Sequence, residues 1–134
     1  MKRTFLAPIL TLLILAFFVA CTTAPEDIPE TLTQPEYFQQ AQEAVEVRNW
    51  DAALAYYRAV IERYPQDTET VVAAEYEIAF IAYKRGLTEE AADGFRSVLE
   101  RYEEGVGPQM PEWPRILSEK LLAEIEGAPT REEG

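Results

Sequence analysis

A 38-residue internal repeat constrains this chain more than any other feature. Asn49-Trp50-Asp51-Ala52-Ala53-Leu54-Ala55-Tyr56-Tyr57-Arg58-Ala59-Val60-Ile61-Glu62-Arg63-Tyr64-Pro65 recurs as Leu87-Thr88-Glu89-Glu90-Ala91-Ala92-Asp93-Gly94-Phe95-Arg96-Ser97-Val98-Leu99-Glu100-Arg101-Tyr102-Glu103. Arg58/Arg96, Val60/Val98, Glu62/Glu100, Arg63/Arg101 and Tyr64/Tyr102 are identical, and Ala53/Ala91, Tyr57/Phe95 and Ile61/Leu99 match in kind. Repeats of this period are helical hairpins that bury their apolar stripes only by stacking. The expected fold is all-α: two helical hairpins plus a C-terminal capping helix, a short α-solenoid over residues 35–126.

Residue spacing fills in the helices. Thr33-Gln34-Pro35-Glu36 fits a capping box. Tyr37, Phe38, Ala41, Ala44 and Val45 then share one face of a helix ending near Arg48. Asn49 suits the N-cap of the next helix. Its stripe is Ala53, Tyr57, Val60, Ile61 and Tyr64, and Pro65 stops it. A third helix starts at Asp67 or Thr68 and runs to about Arg85, with Val71, Ala74, Ile78, Ala79, Ala82 and Tyr83 as its face. It is apolar nearly all round, which calls for a second neighbour or a partner. Gly86 is placed to close it in the left-handed region.

Thr88 is expected to cap the fourth helix, with Leu87 stapled onto Ala92. The stripe there is Ala91, Phe95, Val98, Leu99 and Tyr102. Gly94 sits mid-helix at a cost of about 1 kcal/mol relative to Ala; it is either a point of close backbone approach or a neutral flaw. Arg58/Glu62 and Arg96/Glu100 read as outer-face i,i+4 pairs. After a break at residues 104–108, Trp113, Ile116, Leu117, Leu121, Leu122 and Ile125 make a fifth helix, with Pro114 in its first turn. Residues 127–134 read as a disordered tail. Stacked repeats need about three units to close a core. Without residues 108–126 the domain is expected to be marginal or a homodimer.

Composition excludes several functions. The chain has 12 Lys and Arg against 24 Asp and Glu, a formal charge of -12. Such a field repels nucleic acid. There is no His and one Cys, so neither a disulfide nor a Cys/His metal site can form within the chain. Ser97 and Ser118 are the only serines, and no Ser-His or Cys-His couple exists. Carboxylate pairs such as Glu75 with Glu77, or Glu89 with Glu90, fall on expected solvated faces. No enzymatic activity, metal or cofactor is expected.

The N-terminus is a targeting signal in layout. Met1-Lys2-Arg3 is basic, Thr4 to Ala20 is uncharged and mostly apolar, and small residues precede Cys21. Phe18-Val19-Ala20-Cys21 resembles a bacterial lipobox, which implies a signal peptide over residues 1–20 and lipidation of Cys21. Two acyl chains hold a protein firmly in a bilayer. The alternative is an uncleaved anchor helix over Thr4 to Ala24. Residues 21–34, with Pro25 and Pro29, read as a flexible tether.

Taken together, the repeated residues resemble the tetratricopeptide repeat. Ala53 and Ala91, Tyr57 and Phe95, and Pro65 fall where that family has its Ala, Phe and Pro; Ala41 and Ala79 match its small first-helix residue. Tyr76-Glu77-Ile78-Ala79-Phe80-Ile81-Ala82-Tyr83-Lys84-Arg85-Gly86 is similar to the repeats of the outer-membrane barrel-assembly lipoprotein and the periplasmic cell-division coordinator. Tyr37 and Glu75 depart from the usual Trp, Glu103 from the closing Pro, and the period is four residues longer. The resemblance implies a concave face lined by the first helix of each pair. Phe38, Gln42, Val45 and Glu46 would lie there from the first repeat, and Tyr76, Phe80, Tyr83 and Lys84 from the second. The same aromatics would alternatively pack between hairpins or beneath the fifth helix.

The expected function is a membrane-anchored envelope adaptor that binds other proteins or peptides through this groove, lipid-tethered by Cys21 in the outer membrane facing the periplasm. The alternative is a carrier of a small molecule or lipid among the aromatics.

Overall fold

The computed structural model describes residues 24, 25, 27–104 and 110–127. The expected signal peptide, Cys21 and the expected tail beyond Gly127 lie outside them. Five helices follow one another: α1 Gln34–Glu46, α2 Trp50–Arg63, α3 Thr68–Lys84, α4 Thr88–Glu103 and α5 Glu112–Gly127. The described residues contain no strand.

Local chemistry sets the helix ends. Glu36 accepts the Thr33 amide at 2.7 Å and the Thr33 hydroxyl at 2.6 Å. Asn49 accepts Ala52 N–H, and Asp67 accepts Thr70 N–H, each at 3.2 Å. At the end of α3, Gly86 has φ +75. Its N–H donates to Tyr83, and that of Leu87 donates to Ala82. This pair of bonds satisfies carbonyls that the helix leaves unpaired. The fourth helix departs from expectation. Leu87 holds the N-cap position, with no side-chain cap. Thr88 is already helical and donates instead to the Gly86 carbonyl at 3.4 Å, because the tight α3 exit leaves no extended residue before it.

The repeat is visible as paired burial. Ala53 and Ala91, Tyr57 and Phe95, and Val60 and Val98 are wholly buried at equivalent places in α2 and α4. Each large side chain contributes about 1.5–3 kcal/mol by leaving water. Two clusters result. Tyr37, Ala41, Ala53, Leu54, Tyr57, Val60, Ala74 and Ile81 form the first. Val72, Tyr76, Ala79, Ala82, Ala91, Phe95 and Val98 form the second. The third helix supplies both clusters and touches each of the other four helices. That is why its sequence is apolar nearly all round.

Gly94 marks a close approach. A Cβ at this position would lie 2.7 Å from Ala79 Cβ and 3.3 Å from Ala79 Cα. The small residues let α3 and α4 pack more tightly than any larger pair would. Neither expected i,i+4 ion pair forms among the described residues. Arg96 turns to Asp93 at 2.8 Å and to Glu126 of α5 at 3.0 Å, because the fifth helix brings a carboxylate within its reach.

The fifth helix covers the second repeat. Leu117, Leu121, Leu122 and Ile125 pack on the second cluster. Tyr102 donates to the Pro111 carbonyl at 2.6 Å. Its seam differs from the apolar stripe, however. Pro114 and Ser118 are buried, while Trp113 and Ile116 are 40% and 51% exposed. The small Ser118 permits a closer approach than Ile116 would. At the other end, Ile28 and Leu32 pack on the first cluster, and the Tyr37 and Tyr64 hydroxyls donate to the Pro29 and Leu32 carbonyls. Any free tether therefore ends before Ile28.

Candidate functional site

A cleft of about 390 Å³ opens where α1, α3 and the start of α5 meet. Gln34, Phe38, Asp67, Glu69, Thr70, Ala73, Pro111 and Trp113 line it. One end is fixed by Gln34, whose amide donates to Asp67 at 2.7 Å and to Thr70. Those bonds, led by that of Gln34, hold the Asp67 carboxyl below its ordinary pKa and keep it charged. Phe38 sits edge-on against Tyr57 with ring centres 5.6 Å apart. Trp113 sits edge-on against Tyr76 at 5.1 Å.

Glu77 follows Ala73 by one helical turn and so shares its face. It is half-buried. Burial raises its carboxyl pKa above the ordinary 4.5. Nearby, the Tyr57 hydroxyl is buried with no hydrogen-bond partner among the described residues. Desolvation is the main cause that raises its pKa, and the Glu77 charge adds to it. The Gln42 amide is close enough to ease that ionisation, yet no hydrogen bond of ordinary geometry forms between them.

The expected groove residues divide into three groups. Phe38 faces the cleft, and Gln42 is exposed beside it. Val45 packs on the first cluster, and Glu46 is exposed. On α3 the aromatics form a column: Tyr76 stacks on Phe80 at 6.0 Å, and Phe80 on Tyr83 at 6.1 Å. The fifth helix lies over this column. Tyr76 is buried beneath Trp113, and the Tyr83 hydroxyl donates to Glu124 at 2.7 Å. Lys84 is exposed, its ammonium 5.9 Å from the centre of the Phe80 ring.

Sequence reasoning missed Trp113 and Ala73 as cleft residues, and Glu77 as a partly buried carboxylate one turn further along α3. Trp113 falls in the expected buried stripe of the fifth helix. Glu75 and Glu77 together fall on an expected solvated face. Being two residues apart, they point to different sides of α3. Glu75 forms a two-pronged ion pair with Arg101, while Glu77 lies on the side of Ala73 and is partly buried. A carboxylate one turn from an alanine on an otherwise apolar face was the available signal. Among the described residues no group of His, Cys, Asp and Glu is placed to hold a metal, and no helix is long and apolar enough to cross a membrane.

Comparison with known proteins adds two findings. The tetratricopeptide repeat family matches residues 37–67 and 73–104. An uncharacterised protein of Treponema pallidum (strain Nichols) is 32% identical over 97 residues, 71% of this chain. The aligned region spans 39% of that relative's length. No solved structure matches. The matched stretches coincide with the α1–α2 and α3–α4 hairpins, and the alanine and aromatic positions that define them are the ones buried. Residues 37–104 are therefore a pair of tetratricopeptide repeats, and over that span the chain is a tetratricopeptide repeat protein.

Proposed function

We propose that this protein is a lipid-anchored adaptor of the cell envelope. It holds another envelope protein through the cleft between its two repeats, tethered by acylated Cys21 in the outer membrane and facing the periplasm. The observation that carries the reading is the cleft. Paired repeats leave it open between α1 and α3, and half-exposed Trp113 forms part of its wall opposite Phe38. An aromatic rim over a concave helical surface suits a polypeptide segment. Tetratricopeptide repeat proteins are typically non-enzymatic scaffolds, which accords with a chain that lacks any catalytic couple. The leader and lipobox support the anchor and the compartment.

A carrier of a small molecule or lipid would need a hollow among the aromatics. Tyr76, Phe80 and Tyr83 stack on one another under α5, which favours the adaptor.

Crosslinking pull-down from intact envelopes tests the reading. Wild-type protein should fractionate with membranes and capture discrete partners. Cys21→Ala should be released from membranes, and Phe38→Ala with Trp113→Ala should lose the partners. Membrane retention of Cys21→Ala, or capture indifferent to the double substitution, would refute the anchor or the cleft respectively.

A further inference from the structure

We propose that the cleft receives a basic polypeptide segment along its Phe38 and Trp113 rings and seats one of its cationic side chains against Glu77, one helical turn along α3 from Ala73 of the cleft wall. This rests on the adaptor reading and gives the partner its chemistry.

Glu77 is drawn partly out of water, and no hydrogen bond or ion pair within the described residues engages it. A carboxylate in that position has lost hydration that an opposite charge restores. Several of the chain's cations are committed elsewhere. Arg101 is bound to Glu75, Arg96 to Asp93 and Glu126, and Arg115 to Glu112 and Glu119. Lys84 lies over Phe80, nearly two turns along α3.

The exposed Gln42 carboxamide oxygen on α1 offers a second acceptor. The faces of the cleft's aromatic rings suit a cation, above all the flat guanidinium.

The surroundings exclude the opposite charge. Asp67 and Glu69 stand among the cleft residues, and no Lys or Arg does. The chain as a whole carries -12 and steers cations toward itself. An acidic tail would meet repulsion at every carboxylate named here, whereas a basic segment would meet none.

The test is a titration of the full chain, in detergent micelles, against two fluorescent peptides. One alternates leucine and arginine; the other has citrulline in place of each arginine, which keeps shape and hydrogen bonding but removes charge. The arginine peptide should bind about tenfold more tightly. Glu77→Gln should erase that difference and leave citrulline binding unchanged, with helical content intact by circular dichroism. Equal affinities for the two peptides, including no binding to either, would overturn the inference, as would an arginine preference surviving in Glu77→Gln. Envelope partners still captured by Glu77→Gln as by wild type would overturn it too and leave the adaptor reading standing.

Discussion

Arg48 and Gly86 are structural twins, 38 residues apart, and only one of them is suited to its place. Both sit just past the first helix of a hairpin with positive φ, +57 for Arg48 and +75 for Gly86. The bonding is the same. Asn49 N–H donates to Ala44 as Leu87 N–H does to Ala82, and Arg48 N–H donates to Val45 as Gly86 N–H does to Tyr83. An L-residue in the left-handed region costs about 1–2 kcal/mol, offset partly by glycine's greater freedom when unfolded. Arg48→Gly should therefore stabilise the fold by about 0.5–1 kcal/mol, a rise of roughly 2–8 °C in Tm. Gly86→Ala should lower it comparably, for conformational reasons alone, since a Cβ there meets nothing within 4 Å. Thermal melts of both variants check the pair. A drop in Tm for Arg48→Gly would mean that the arginine side chain makes a contribution its geometry does not reveal.

Gly94 poses the opposite question to Gly86. Its φ is unexceptional, and the constraint is space. Alanine would gain about 1 kcal/mol of helix propensity. The new methyl would also meet Ala79 Cβ at 2.7 Å, and neither that atom nor the Cα behind it can swing aside. Overpacking costs about 1–3 kcal/mol. The second effect outweighs the first, because the atoms it meets cannot move, so Gly94→Ala should destabilise by up to about 2 kcal/mol in chemical denaturation. An unchanged or raised midpoint would show that α3 and α4 can separate without loss.

What was legible in the sequence was the part governed by short-range periodicity. Ala53, Tyr57 and Val60 recur as Ala91, Phe95 and Val98, and a stripe at helical spacing specifies which side of α2 and α4 turns inward. Which neighbour meets which side is a long-range matter. Trp113 and Ile116 are as apolar as Leu117, yet α5 leans on Pro114 and Ser118, because size and approach distance decide a seam as much as hydrophobicity. Glu77 looked solvated beside Glu75 because a sequence carries charge but no surroundings. For Tyr76 and Tyr83 the sequence leaves open a groove position, packing between hairpins or packing beneath the fifth helix, and the placement of α5 puts them beneath it.

The third helix shows what α5 contributes. Without the fifth helix, Tyr76, Phe80 and Tyr83 would lose their cover, and so would the face of α4 that meets Leu117, Leu121, Leu122 and Ile125. Each partly buried aliphatic side chain is worth about 1 kcal/mol. The part-buried Tyr102–Pro111 hydrogen bond adds about 1 kcal/mol, and the Tyr83–Glu124 bond ties the exposed end of α5 to α3. Against a typical total of about 5–15 kcal/mol, a loss of this size is severe. A chain ending at Glu104 should melt far lower or associate into dimers that cover the exposed aromatics. Size-exclusion chromatography and thermal melts measure both. A monomer with the full-length melting curve would contradict the role given to α5.

Glu77 also gives the protein a pH signature opposite in sign to that of its other perturbed carboxyls. Glu36 and Asp67 are hydrogen-bonded as anions, which lowers their pKa values. They stabilise the fold above the ordinary carboxyl range, and that contribution is lost as acidity overtakes their lowered values. Glu77 is raised by burial from 4.5. Its fold-stabilising contribution is complete below about pH 4.5 and is lost as pH rises through the elevated value, where the folded protein must hold a poorly solvated anion. Glu77→Gln removes this one dependence and leaves the other two in place. The variant should match wild type near pH 4 and exceed it near pH 7, by a few degrees in Tm. Subtracting the two stability curves from pH 3.5 to 8 isolates the effect, because Glu36 and Asp67 cancel in the difference. A flat difference, or one that grows toward acid, would mean that Glu77 is solvated or already paired. The same stability deficit at neutral pH is what a bound cation would relieve, so adding the arginine peptide should raise the Tm of wild type more than that of Glu77→Gln.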